Sequence, residues 1–270
     1  MEFVMGTDPE VACLRRSTMN IYSVHGIISD PEIKPQERVS AIGVDGNRPT
    51  TPIEFRPGIS SSGEDLVNRL SDLVRILKDH FHPNQIVYKA GAWASPEEPL
   101  GGHIHYSWKD GPTKVGEPGW NRILWRAGEV LNGLQAQCDF LTGRLFSPIE
   151  IDLRVIYAEK HGKDFAKRFA FRPSQGWERV LRDRHMEYRG LASWMTTPEA
   201  AYAALGGAET VINLVHSANH GDIFNWEKLI NTIYLEKSEL GPIGGPSLAA
   251  ALRIAEKHKD EIDIMNTWIS

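Results

Sequence analysis

Apolar stretches in the first two-thirds of this sequence are broken, every second residue, by a charged or imidazole side chain. Gly-Thr-Asp-Pro-Glu carries Asp8 and Glu10, Ile-Glu-Phe-Arg-Pro carries Glu54 and Arg56, and Gly-Gly-His-Ile-His carries His103 and His105. Further on, Ile-Glu-Ile-Asp-Leu-Arg carries Glu150, Asp152 and Arg154, and His-Met-Glu-Tyr-Arg carries His185, Glu187 and Arg189. Residues two apart on a strand point to the same face. Strands sharing one sheet would therefore gather these carboxylates, imidazoles and guanidiniums on one side. Crowded carboxylates repel one another unless a cation lies between them. Such a face suits a divalent-metal phosphate site better than a packed core.

The same patterning predicts the elements around that face. Glu2 to Val11 reads as a strand, with Pro9 favouring an edge or an end, and Asn20 to Ile28 as another. Arg38 to Val44 and Thr50 to Phe55 flank Asp45-Gly46-Asn47 and predict a hairpin. Ser62 or Gly63 opens a helix whose Leu66, Val67, Leu70, Leu73, Val74 and Leu77 form one apolar stripe, ended by His82-Pro83. Ile86 to Ala90 and His103 to Trp108 read as strands, with a loop from Ala94 to Gly102 between them and another from Lys109 to Gly119. Trp120 to Leu141 predicts a long helix stopped near Gly143. Glu150 to Tyr157 and Arg184 to Leu191 predict strands on either side of a basic loop, Glu159 to Trp177. Pro198 to Val215, Asn225 to Leu235 and Pro246 to Asp260 predict helices. The fold class expected is α+β: a mainly antiparallel sheet, helices on its outer face and site residues on the inner one. Residues 1–195 are expected to form the site-bearing sheet domain, and 196–270 a helical region packed on it.

Composition narrows the chemistry. The 270 residues are 41% hydrophobic and 24% charged, ordinary for a globular chain with a sizeable core. A formal net charge of -5 disfavours general nucleic-acid binding. Two cysteines, Cys13 and Cys138, without metal spacing read as reduced thiols. Met1 to Glu10 has neither the basic start nor the apolar run of a signal peptide, and no apolar stretch approaches a membrane span. A cytoplasmic location is expected, the host's for a viral chain, with no membrane partner. The sequence does not choose an oligomeric state.

Each motif also has a bland reading. Asp8 before Pro9 is a common turn cap. Glu54 with Arg56 reads as a same-face ion pair, and Glu187 with Arg189 repeats it between apolar neighbours. His103 and His105, after two glycines that permit close approach, suit a metal, a phosphate or a satisfied structural pair. Arg172 in the basic loop suits a guanidinium fork on phosphate or plain solvated surface. His216 and His220 lack the glutamate of a zincin helix, and the tryptophans are read as packing. A single site explains the strand-borne clusters together.

In that order, Gly-Thr-Asp-Pro-Glu, Glu-Phe-Arg-Pro after Asp-Gly, Gly-Gly-His-Ile-His, Arg-Pro-Ser and Glu-Tyr-Arg resemble the phage-type carboxylate–amine ligases. These belong to the glutamine synthetase and glutamate–cysteine ligase superfamily, and the resemblance spans roughly residues 5 to 195. It implies a curved antiparallel sheet, a concave face holding ATP and more than one Mg2+ or Mn2+ ion, and amide formation through an acyl phosphate. It implies Glu10, Glu54 and Glu187 as metal carboxylates with Asp8 as a fourth, and His103 on the metal or the transferred phosphate. It also implies Arg189 and Arg172 on the phosphates. His105 and Arg56 complete the expected cofactor contacts. Tyr157 to Lys163 is more charged than the family's glycine-rich stretch, and Asp152 and Arg154 have no secure counterpart.

Small-molecule or peptide carboxylates and amines are the substrates expected, with neither acid nor amine named. Three rivals remain. His-x-His with later His216, His220 and Asp222 resembles a zinc amidohydrolase, but leaves Glu10, Glu54 and Arg189 without work. A phosphotransferase could share the scaffold, and a non-catalytic member could bind a partner only.

Overall fold

A computed structural model describes residues 3–22, 41–44, 52–80, 85–91, 93–95, 98–109, 179–181, 185–189, 191, 193–217 and 263–269. Several sequence expectations lie outside these residues: the turn at Asp45-Gly46-Asn47, the helix from Trp120 to Leu141, the strand from Glu150, the basic loop with Arg172, and the helices after residue 217.

The chain opens with two short strands rather than one. β1 (Phe3–Thr7) ends before Asp8-Pro9, and β2 (Glu10–Arg15) begins after it. Pro9 has no N–H to give a ladder. Its carbonyl instead accepts from the Phe55 N–H at 3.0 Å. The expected strand from Glu2 to Val11 is thus corrected: the chain changes sheet at Asp8-Pro9. Of the second expected strand, only an isolated bridge, Leu14 to Ile21, falls within the described residues.

β3 (Ile42–Val44) and β4 (Ile53–Phe55) pair antiparallel, forming the expected hairpin, with Gly43 opposite Glu54. β4 is followed across Pro57-Gly58 by β5 (Ile59–Ser60), and Gly58 takes φ 86°, the left-handed region. α1 (Gly63–His80) follows, with Glu64 and Asp65 in its first turn, where carboxylates meet the positive end of the helix dipole. Next come β6 (Ile86–Lys89), β7 (Trp93–Ser95), β8 (Glu98–Pro99) and β9 (Ile104–Trp108). β7 and β8 pair with an irregular register, from Trp93 into the segment Ala94 to Gly102 expected to be loop. β10 (Arg179–Leu181) and β11 (His185–Tyr188) form a hairpin whose first strand the sequence pattern did not predict. α2 (Pro198–Ser217) matches the expected helix, and the short α3 (Ile264–Trp268) was not expected.

The strands form a five-stranded sheet, β10-β11-β9-β1-β5, a four-stranded sheet, β3-β4-β2-β6, and the β7-β8 pair. Every described pairing is antiparallel. This is an α+β fold. The chain passes between the two large sheets at Asp8-Pro9 and again at Pro57-Gly58, so these prolines mark a seam.

Alternation sorts the two faces. On one, Met5, Tyr106 and Met186 align across β1, β9 and β11, and Val11, Cys13, Ile53, Phe55 and Tyr88 continue the same core in the second sheet. The stripe Leu66, Leu70, Leu73, Val74 and Leu77 of α1 belongs to that core. Each such fully buried side chain contributes roughly 1.5–3 kcal/mol relative to exposure. Behind α1 lies α2, so close that a β-carbon on Gly63 would stand 2.8 Å from the Leu205 carbonyl carbon. α3 is fastened by Asp263, which caps it, accepts from the Tyr88 N–H and pairs with Arg16 at 2.6 Å. Burial pushes the Cys13 thiol well up, in keeping with an inert core cysteine. Among the described residues, no helix is long and apolar enough to cross a membrane.

Candidate functional site

The face opposite the core carries the polar residues. In the first sheet, Gly6, His105 and Glu187 are direct cross-strand partners on β1, β9 and β11. His185 lies two residues before Glu187 on the same face, its ring centroid 5.0 Å from that of His105. In the second sheet Glu10 stands directly opposite Glu54. Asp8, at the seam, joins the two groups.

Asp8 is the hub. Its Oδ1 lies 3.0 Å from Nε2 of His105 and 3.3 Å from Nδ1 of His103, and that Nδ1 is 3.6 Å from Oε1 of Glu187. Burial alone would raise the Asp8 carboxyl. The contacts from His103 and His105 outweigh it and hold the group well below the usual carboxylate range. Burial likewise opposes ionisation of Glu187, while Arg189 and then the two imidazoles hold it low. Arg189 grips Glu187 as a fork, Nε to Oε1 at 2.7 Å and Nη2 to Oε2 at 3.0 Å.

Glu54 goes the other way. Burial, then its contact with Asp8, raises its carboxyl from 4.5 to about 7, against the pull of its Arg56 partner. The Asp8–Glu54 pair therefore keeps a shared proton up to about neutral pH. A raised folded-state value means that this group stabilises the fold below about pH 4.5 and that the contribution fades as pH rises through 7. Asp8 and Glu187 contribute in the opposite sense, and their share is lost only in acid. The metal-free chain should therefore be less stable at pH 8 than at pH 5.5. Mn2+ should reduce that difference, because an ion can replace the proton. Calorimetric melts at the two pH values, with and without Mn2+, check both statements; a metal-free chain more stable at pH 8 contradicts them.

Glu10 is almost wholly buried and is tied at both ends to the glycine pair: its N–H donates to the Gly101 carbonyl at 2.8 Å, and its Oε2 accepts from the Gly101 N–H at 2.5 Å. The segment Gly101 to His103 is itself fastened. Gly102 donates to Leu191, the Trp194 indole donates to the Gly102 carbonyl at 3.1 Å, and the Thr7 hydroxyl donates to the His103 carbonyl at 2.6 Å. Trp194 is thus more than packing: it holds the strand that delivers the histidines.

The sequence-based residue sets divide as follows. Asp8, Glu54, Arg56, His103, His105, Glu187 and Arg189 meet in one connected cluster, and Glu10 adjoins it through Glu54. Arg172, Glu150, Asp152 and Arg154 lie outside the described residues. Among the described residues, Asp8, His105 and Glu187 each offer a ligand atom within 4.8 Å of the others. The buried Asp8 Oδ1 receives no aligned hydrogen bond despite the imidazoles beside it. A cation would satisfy that oxygen, so the residues fit a divalent ion. The donor set of two carboxylates and an imidazole suits Mn2+ or a later transition ion better than Mg2+, which prefers oxygen alone. His105, expected among the cofactor contacts, is the imidazole of this set.

His185, on this face as its motif implies, joins the cluster beside His105, and one charged residue of the face, Lys89, had no place in the motifs. Lys89 on β6 is 3% exposed and lies opposite Ala12, diagonal to Glu10. Its one sequence signal was the alternation Val87-Tyr88-Lys89, which puts it on the face opposite Tyr88.

No family model matches the sequence, and no curated protein matches it. Among solved structures, a bifunctional glutathione synthetase from Pasteurella multocida is similar over 99% of this chain and 48% of its own, at 12% identity and a TM-score of 0.49. The chain spans about half the length of that protein. At this identity and score the likeness assigns neither family nor activity.

Proposed function

We propose that this chain is an ATP- and divalent-metal-dependent carboxylate–amine ligase. The observation that carries the reading is the convergence of Asp8, His105 and Glu187, from three separated stretches of sequence, into one ligand set beside the Arg189 fork. A carboxylate is a poor acylating agent at neutral pH. Phosphorylation by ATP gives an acyl phosphate, and attack by an amine forms the amide and releases phosphate. Phosphoryl transfer asks a protein mainly for alignment and charge neutralisation. An ion bound by Asp8, His105 and Glu187 would supply Lewis-acid charge compensation for phosphate and carboxylate oxygens.

In this reading Arg189 orients Glu187, and both guanidiniums, Arg189 and Arg56, set positive charge around the transferring group. His103, between Asp8 and Glu187, serves as a donor to phosphate or as a further ligand. Glu10 and Glu54, paired across β2 and β4, would hold a second ion on the second-sheet side. Arg172 is assigned as another phosphate contact from the basic loop. In this reading residues 1–195 form the site-bearing domain and 196–270 a helical region belonging to the same unit.

The imidazole in the ligand set also favours a second reading, a zinc-dependent amidohydrolase. Mass spectrometry separates the two. The chain is incubated with Mn-ATP and a mixture of small carboxylates and amines. The ligase reading expects a condensed amide with equal amounts of ADP and phosphate. A stable phosphorylated product would indicate a phosphotransferase, and amide cleavage by zinc-loaded protein without nucleotide would replace the ligase reading with the hydrolase.

A further inference from the structure

The floor beneath Arg56 is a glycine. Gly43 on β3 stands directly across from Glu54 on β4. A β-carbon on Gly43 would lie 2.5 Å from Nη1, 2.9 Å from Cζ and 3.1 Å from Nη2 of Arg56. These distances place the Nη end of the guanidinium directly against the glycine. No side chain can stand there while the plane keeps its place. Nη2 donates to Oε2 of Glu54, and the Arg56 N–H donates to the Ala41 carbonyl at 2.7 Å. The Arg56 side chain is 46% exposed, against 11% for Glu54. One end of the guanidinium therefore meets the buried carboxylate, while nearly half of the side chain remains exposed to solvent.

We infer that Gly43 is a positioning residue that presents the Arg56 guanidinium to the phosphate oxygens of a metal-bound nucleotide. The inference rests on the ligase reading. A long arginine side chain normally loses rotamer freedom when it grips an anion; one already laid in a slot loses less on binding. The planar fork matches phosphate oxygens in a way that a point charge does not. The slot also has the right neighbour. Glu54 contacts Asp8, and Asp8 belongs to the metal-ligand set, so an anion at Arg56 would lie beside the ion.

Gly43→Ala tests this. The glycine has no left-handed φ, so alanine can adopt its backbone. The new methyl meets only the far end of a flexible side chain, which can lift away. The expected result is a chain that stays folded and keeps its Mn2+ affinity, with Mn-ATP binding, measured by calorimetric titration, weakened about tenfold. Arg56→Met should lose the same amount, and the double variant should be no worse than either single one. Mn-ATP affinity like wild type in either single variant, or losses that add, would overturn the inference. Wild-type titration separates the two failures: a chain that holds Mn2+ but takes up no ATP sinks the ligase reading, whereas ATP binding indifferent to Gly43 sinks the slot alone.

Discussion

Asparagine in place of Asp8 is expected to weaken Mn2+ binding by at least about 100-fold, the upper end of what even outer-shell partners of a metal cost. The amide keeps the shape of the carboxylate and removes its charge. That charge is central: Oδ1 is within 3.3 Å of imidazole nitrogens from both His103 and His105 and belongs to the ligand set with Glu187. Its carboxyl stays ionised despite burial, which keeps a ligand oxygen ready for a cation. Without it, His105 and Glu187 alone give the ion too few anchors. Glu187→Ala should lose binding to a similar extent and abolish metal-dependent ATP turnover. Electron paramagnetic resonance of free Mn2+ measures the affinity directly. Binding within about threefold of wild type in Asp8→Asn, on the scale where tenfold is 1.4 kcal/mol, would remove Asp8 from the site.

Lysine in place of Arg189 is the second large effect. Arg189 holds both oxygens of Glu187 at once, at 2.7 and 3.0 Å, so the carboxylate cannot rotate. An ammonium can satisfy one oxygen but not the pair, and the charge survives while the geometry does not. Loss of an outer-shell partner of this kind costs roughly 10–100-fold in metal affinity or activity. ATP turnover should therefore fall by that factor with the net charge of the site unchanged. Retention of wild-type kcat and Mn2+ affinity would mean that Glu187 does not depend on the fork.

Much of the framework could be read from periodicity because the deciding residues act locally. The α1 stripe at spacings of three and four, the hairpin of β3 and β4, and the alternation His103-Ile104-His105 each report their own environment. The alternation also sorted the faces correctly, since Ile104 and Tyr106 are core while His105 stands on the other side with Glu187. The break at Asp8-Pro9 was harder to read. Proline suggested an edge or a strand end, yet the chain there leaves one sheet for another, so Asp8 sits in the link and Glu10 opens the second sheet. Nothing in a short alternating run says which sheet it joins. β7, β8 and β10, two or three residues each, are too short to carry a period. Lys89 was overlooked because lysine on a strand is ordinarily exposed, and its burial depends on elements far away in sequence. Trp194 acts through its indole N–H on Gly102, a contact spanning 92 residues that no local pattern encodes.

Pulsed electron paramagnetic resonance of the Mn2+-loaded chain tests the centre most directly. The account predicts a tightly bound ion at Asp8, His105 and Glu187, with an imidazole nitrogen coupling from His105 that is lost in His105→Ala while that variant keeps its melting temperature. Absence of stoichiometric Mn2+ binding, or a nitrogen coupling unchanged by the loss of His105, would contradict the assignment of Asp8, His105 and Glu187 as a metal centre.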